Sequence, residues 1–116
     1  MPVIQVGIRR FSGPFMSPLW LPPRGVPGLY AVMIPGWKLL MFHPVHFGHT
    51  DDLSSSKVLR NHPKYGYWLT LAGSDWNLYV AVHEMRGSTL AQRRSAYDEL
   101  ISLPFAATRG PAHAQL

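Results

Sequence analysis

Cysteine is absent from the 116-residue chain, which removes disulfides, thiolate metal sites and cysteine nucleophiles from consideration. Acidic side chains are scarce: six Asp and Glu stand against eleven Lys and Arg, a net charge of +5 with histidine neutral. Charged residues of both signs reach only 15%, against about 25% in an average globular chain. Since 47% of residues are hydrophobic, wholesale disorder, which needs low hydrophobicity and high charge, is excluded. Apolar runs such as Leu29–Ile34 fall far short of the roughly 20 residues a membrane-spanning helix requires. Met1–Phe11 also lacks the basic start and apolar stretch of a secretory signal. These absences lead to the expectation of one domain, outside the membrane, in the cytoplasm.

Proline is plentiful, and seven of the eleven lie at or before Pro35. Val3–Arg10 alternates, with Ile4, Val6 and Ile8 on one face, and predicts a short strand. From Phe11 to Pro27 the chain is too apolar for a linker and too rich in proline for a helix. An extended segment over residues 1–24, packed on the core, is therefore expected. Leu29–Ile34 and Trp37–Phe42 flank Pro35-Gly36, a pair suited to a type II turn, and predict a hairpin. Asp51 or Asp52 can cap a short helix running to about Asn61, which Pro63 ends. Tyr67–Leu71 and Trp76–Glu84 read as two more strands joined through Ala72-Gly73-Ser74-Asp75. Thr89–Leu103 is the strongest helix, with Thr89 and Gln92 at capping-box spacing and Leu90, Tyr97, Leu100 and Ile101 on one stripe. The expected fold is α/β (α+β): a small, mostly antiparallel sheet flanked by helices over 25–104, followed by a flexible tail over 105–116.

Gly28-Leu29-Tyr30, then His46-Phe47-Gly48-His49-Thr50-Asp51-Asp52-Leu53, in the order strand, strand, helix, strand, helix, resembles the GIY-YIG endonuclease domain from about Gly25 to Leu103. That resemblance implies metal-assisted phosphodiester hydrolysis. A tyrosine pair helps activate water, an arginine neutralises phosphate charge and a glutamate holds Mg²⁺ or Mn²⁺. Carried over residue by residue, it puts Tyr30 at the first tyrosine and His46 at the second, with Gly48, Thr50 and Leu53 matching. The arginine place holds Ser56, with Arg60 one helical turn further on. The glutamate place holds Tyr97, so a metal carboxylate would have to come from Glu84 or Asp98. The implied protein is nuclease-like with a substituted catalytic set: Tyr30, His46, His49 and Arg60 if chemistry survives, with Glu84 toward Mg²⁺ or Mn²⁺, and otherwise no cofactor.

The residues also stand on their own terms. His43, His46 and His49 invite a zinc reading, but strand alternation sends His46 away from the other two and no cysteine completes a set. Histidines on a strand edge and loop are the simpler account, with His46 and His49 the candidates for proton transfer. Lys57, Arg60, His62 and Lys64, followed by Tyr65, Tyr67 and Trp68, form a basic and aromatic stretch of the kind that binds nucleic acid, extended by Arg93 and Arg94. A solvated helix face beside a core strand explains the same letters. The expected function is a non-catalytic or weakly catalytic domain that binds nucleic acid through a basic face. The alternatives are an active Mg²⁺- or Mn²⁺-dependent endonuclease, and a protein-docking module presenting Phe15, Leu19 and Trp20.

Overall fold

The alternating run at the amino terminus folds back on itself instead of continuing as one strand. In the computed structural model, which describes residues 3–36 and 42–103, β1 (Val3–Val6) and β2 (Arg9–Met16) form a hairpin, with Val6 opposite Arg9. Phe11–Met16, the first part of the stretch expected to lie across the core, is thus a strand of the sheet itself. β2 pairs with β5 (Tyr79–Glu84) through Ser12–Val82 and Phe15–Val80, and its register shifts between Ser12 and Phe15, where Pro14 has no N–H for a ladder. A 3-10 turn at Ser17–Leu19 ends this part of the chain.

β3 (Gly28–Pro35) and β4 (Phe42–Thr50) pair antiparallel from Gly28–Thr50 to Pro35–Phe42. The expected hairpin is present, but Phe42–Thr50 supplies its second strand; residues 37–41 of the run that was to supply it lie outside the described residues, as does the tail over 105–116. β3 also pairs with β5, completing a five-stranded antiparallel sheet in the order β1-β2-β5-β3-β4. The fold is α+β, with two α-helices packed on this sheet.

Tyr67–Leu71, expected as a strand, lies within helix α1 (Tyr65–Ala72). The alternation of Tyr67, Leu69 and Leu71 conceals a helical stripe: Tyr65, Trp68, Leu69 and Ala72, at i, i+3, i+4 and i+7, face the core, while Tyr67 and Leu71 are exposed. Gly73 ends the helix in the left-handed region at φ 88°, donating its N–H to the Leu69 carbonyl. The residue expected to turn between strands is a helix cap. The helix expected after Asp52 shrinks to a 3-10 turn at Ser56–Val58. Asp52 Oδ1 instead accepts from Ser54 N (2.9 Å), Ser54 Oγ (2.7 Å) and Gly25 N (3.0 Å), so local side-chain bonds displace helical ones and tie this loop to the approach to β3.

Helix α2 (Leu90–Ile101) forms as its cap predicts, with Gln92 N donating to Thr89 Oγ1 (3.1 Å) and Thr89 N to Gln92 Oε1 (2.8 Å). Its Ala96 and Leu100 bury against Leu29, Ala31, Met33, Phe47 and Ala81 on one sheet face. Tyr30, Val32, Val80 and Val82 face the other way, onto Trp68, Leu53, Val58 and Leu78. Among the described residues no helix is long and apolar enough to cross a membrane.

Opposite Tyr30 in the ladder stands Gly48, and a β-carbon there would collide with the phenol ring, at Cζ, Oη and Cε1. Tyr30 occupies the space a side chain would take. Gly48→Ala is therefore expected to destabilise the domain by about 1–3 kcal/mol. The cost should largely vanish in a Tyr30→Ser background, as chemical denaturation of the four members of the double-mutant cycle would report.

Candidate functional site

β4 is an outer strand, so side chains from opposite faces of the sheet, Tyr30 of β3 and His49 of β4, reach one margin. Tyr30 arrives there by crossing Gly48, and His49 arrives from the α2 face, where its ring lies 5.3 Å from that of Tyr97. The turn after β4 adds Ser55 and Lys57, and the first turn of α2 adds Leu90 and Arg93. Together with Thr50, Asp51 and Val58 they line a cavity of about 650 Å³. Leu90, expected on the buried stripe of α2, is half exposed and forms part of this wall.

Arg93 is the unusual member. It is only 7% exposed; its Nη1 donates to Ser88 O (2.7 Å) and Ser88 Oγ (3.2 Å), and its Nε is buried without a hydrogen-bond partner. The ion pairs of the described residues join Arg9 to Glu99 and Arg86 to Glu84, and none involves Arg93. A buried cation without a counter-ion is costly, and here it sits against a cavity that Lys57 also lines.

Burial, reinforced by Tyr97, pushes the Tyr30 phenol up to about 12. Tyr30 therefore stays protonated at neutral pH and can donate a hydrogen bond. Burial lowers His49 below the usual imidazole value, helped by Arg93 and Arg94 and opposed by Asp98. His62 is also lowered, by burial and then by Lys64. Its Nδ1 accepts the Lys64 backbone N–H (3.0 Å), which leaves the proton of the neutral ring on Nε2.

The residues expected to act divide among separate places. Tyr30, His49, Lys57 and Arg93 meet at the cavity. His46 lies beside Tyr30 (ring centroids 6.0 Å) but belongs to a stack with His62 (4.8 Å) and Trp68 (5.0 Å), on which His62 also lies at 4.5 Å. Lys64 stands at the start of α1 next to this stack. Arg60 was expected one helical turn beyond Ser56; with no helix there it is exposed and does not line the cavity. Arg94 is exposed on α2 and Asp98 acts on both His49 and Tyr97. Glu84 lies elsewhere, bound by Arg86 Nε and Nη2 at 3.1 Å, and lines two other clefts.

The donor set does not fit the Mg²⁺ or Mn²⁺ that the family resemblance implies. Such ions want carboxylate oxygen, whereas the cavity receives Arg93 and Lys57 with Asp51 as its one carboxylate, and no group of three His, Asp or Glu able to hold a metal occurs among the described residues. What sequence reasoning missed is the burial of Arg93, which was read as an exposed extension of a basic face. Comparison with family models, curated proteins and solved structures gives no match for this chain.

The raised Tyr30 value has a defined consequence at high pH. The unfolded chain ionises this tyrosine near 10 while the folded chain holds it protonated to about 12, so stability is lost as pH rises between them, by about 3 kcal/mol in all. Tyr30→Phe should remove that dependence in urea melts recorded from pH 9 to 11.5. At the other end, the lowered His49 and His62 values mean that stability falls as pH drops below about 6.5, and their NMR titrations should both lie under that midpoint.

Proposed function

We propose that this domain binds nucleic acid through the sheet margin around Lys57, Arg93 and Arg94, without cutting it. The observation that supports the reading best is the meeting of Lys57 and Arg93, from a turn and a helix distant in sequence, at one cavity beside Tyr30 and His49. Phosphate oxygen is the common anion that such cations serve. His46 and His62, both partly buried, lie against the fully buried Trp68 beside Tyr30, and the outer edges of the two imidazoles offer a surface on which a base can lie. The substituted catalytic places point the same way: a protonated phenol at Tyr30, a stacked ring at His46 and cations where a metal carboxylate would be needed. The family resemblance thus supports an inherited binding face more than inherited chemistry.

One observation favours a second reading, a protein-docking module. Phe15, Leu19, Trp20 and Leu21 line a cleft beside Val82, on the sheet face that also carries Tyr30, with Leu19 65% and Leu21 91% exposed.

Supercoiled plasmid incubated with the protein in Mg²⁺, Mn²⁺ or EDTA separates these readings. Retarded, intact plasmid in all three conditions is expected. The logarithm of affinity should fall linearly with that of salt, and Lys57→Ala or Arg94→Ala should each reduce the slope by about one. Metal-dependent nicking that disappears in Tyr30→Phe would make the protein an endonuclease. If the plasmid is neither shifted nor cut, the docking reading gains, and Trp20→Ala becomes the variant to examine.

A further inference from the structure

The cavity holds more positive charge and more donors than an internal strand position uses. Arg93 contributes a buried guanidinium with no ion-pair partner among the described residues, and Lys57 contributes an ammonium. Tyr30 adds a hydroxyl that burial keeps protonated, and Ser55 adds another, its oxygen already accepting the Lys57 N–H at 3.3 Å. The one lining carboxylate, Asp51, is exposed. A phosphodiester offers one negative charge and two terminal oxygens. A phosphate monoester offers three terminal oxygens and about −1.5 to −2 charge at neutral pH, which matches two cations and two hydroxyl donors.

We propose that the cavity is a phosphate-monoester pocket in which Arg93 and Lys57 take the dianion, so that the domain recognises a phosphorylated strand end. The second half of this inference rests on the nucleic-acid reading above; the pocket itself does not. It also gives a reason for an arginine that is otherwise unfavourable where it stands. Nη1 is committed to Ser88 and Nε is buried, whereas Nη2 is not among the buried unpartnered atoms and is the Arg93 donor open to an anion. Because both cations belong to the protein, binding requires no divalent metal.

The test uses the full chain in EDTA at about 0.15 M salt, the physiological ionic strength. Fluorescence anisotropy is measured with one single-stranded oligonucleotide in three forms: 5′-phosphate, 3′-phosphate and hydroxyl at both ends. Inorganic phosphate and a nucleoside 5′-monophosphate serve as competitors and, separately, as ligands in thermal melts. A phosphorylated form is expected to bind at least about tenfold tighter than the hydroxyl form, and Arg93→Gln should erase that preference. Since a core-facing variant can fail to fold, the exposed Lys57→Ala is carried in parallel and should reduce the preference while leaving the melting temperature without phosphate unchanged. Inorganic phosphate should raise the melting temperature of the native protein and not that of Arg93→Gln. Equal binding of all three oligonucleotides, with no response to inorganic phosphate, would overturn the pocket and leave the nucleic-acid reading standing. Binding of phosphate and mononucleotide that depends on Arg93, with no oligonucleotide bound in any form, would uphold the pocket and overturn the nucleic-acid reading.

Discussion

A strand that is apolar on both faces needs cover on both and hydrogen-bonding neighbours along both edges, and β3 imposes that demand on the rest of the chain. Gly28 through Met33 are all buried, with Leu29, Ala31 and Met33 on one side and Tyr30 and Val32 on the other. Each of the larger side chains is worth about 1.5–3 kcal/mol when taken fully from water, which makes this short segment a major source of the domain's stability. Antiparallel β4 and β5 satisfy its backbone, α2 covers one face, and α1 with the serine-rich turn covers the other. Gly28 is part of the same constraint, since a β-carbon there would meet the His83 carbonyl of β5.

The candidate site is a by-product of that arrangement. Only one strand separates Tyr30 from the sheet margin, and at the crossing point that strand presents a glycine. The phenol therefore emerges at the same edge to which the turn after β4 brings Lys57 and the start of α2 brings Arg93. Two separate hydrophobic cores, one on each side of the sheet, thus meet the solvent at a shared polar seam. The electrostatics follow from the same geometry: burial, helped by the nearby Arg93 and Arg94, lowers His49, and burial raises Tyr30.

Much of the fold was legible wherever one local rule acted alone. The capping box at Thr89–Gln92 marked α2 and the apolar run Leu29–Ile34 marked β3, but the expected turn at Pro35-Gly36 did not hold, since Pro35 is a strand residue opposite Phe42. Misreadings arose where two rules competed. Tyr67, Leu69 and Leu71 satisfy alternation, while Tyr65, Trp68, Leu69 and Ala72 satisfy helical periodicity, and the contact of Trp68 with the sheet decides between them. The helix expected after Asp52 lost to hydrogen bonds among Asp52, Ser54 and Gly25, a partner 27 residues away that no local window contains. Arg60 fell with that helix. At the site, residue types were readable and their grouping was not: Lys57 and Arg93 come together through tertiary packing, whereas the neighbours Arg93 and Arg94 are buried and exposed respectively.

The outer strands carry a further consequence, for how copies of this protein meet at high concentration. A sheet in the order found here ends in β1 on one side and β4 on the other, and each border is poorly suited to recruiting another chain. β1 is four residues long, too short for a stable new ladder. β4 is longer, but Pro44 removes a donor and the pairing with β3 slips between Val32 and Met33, so its border is kinked and chemically interrupted. Growth of the sheet by edge-to-edge addition is thereby disfavoured at both ends, a restraint of some weight in a chain that is 47% hydrophobic.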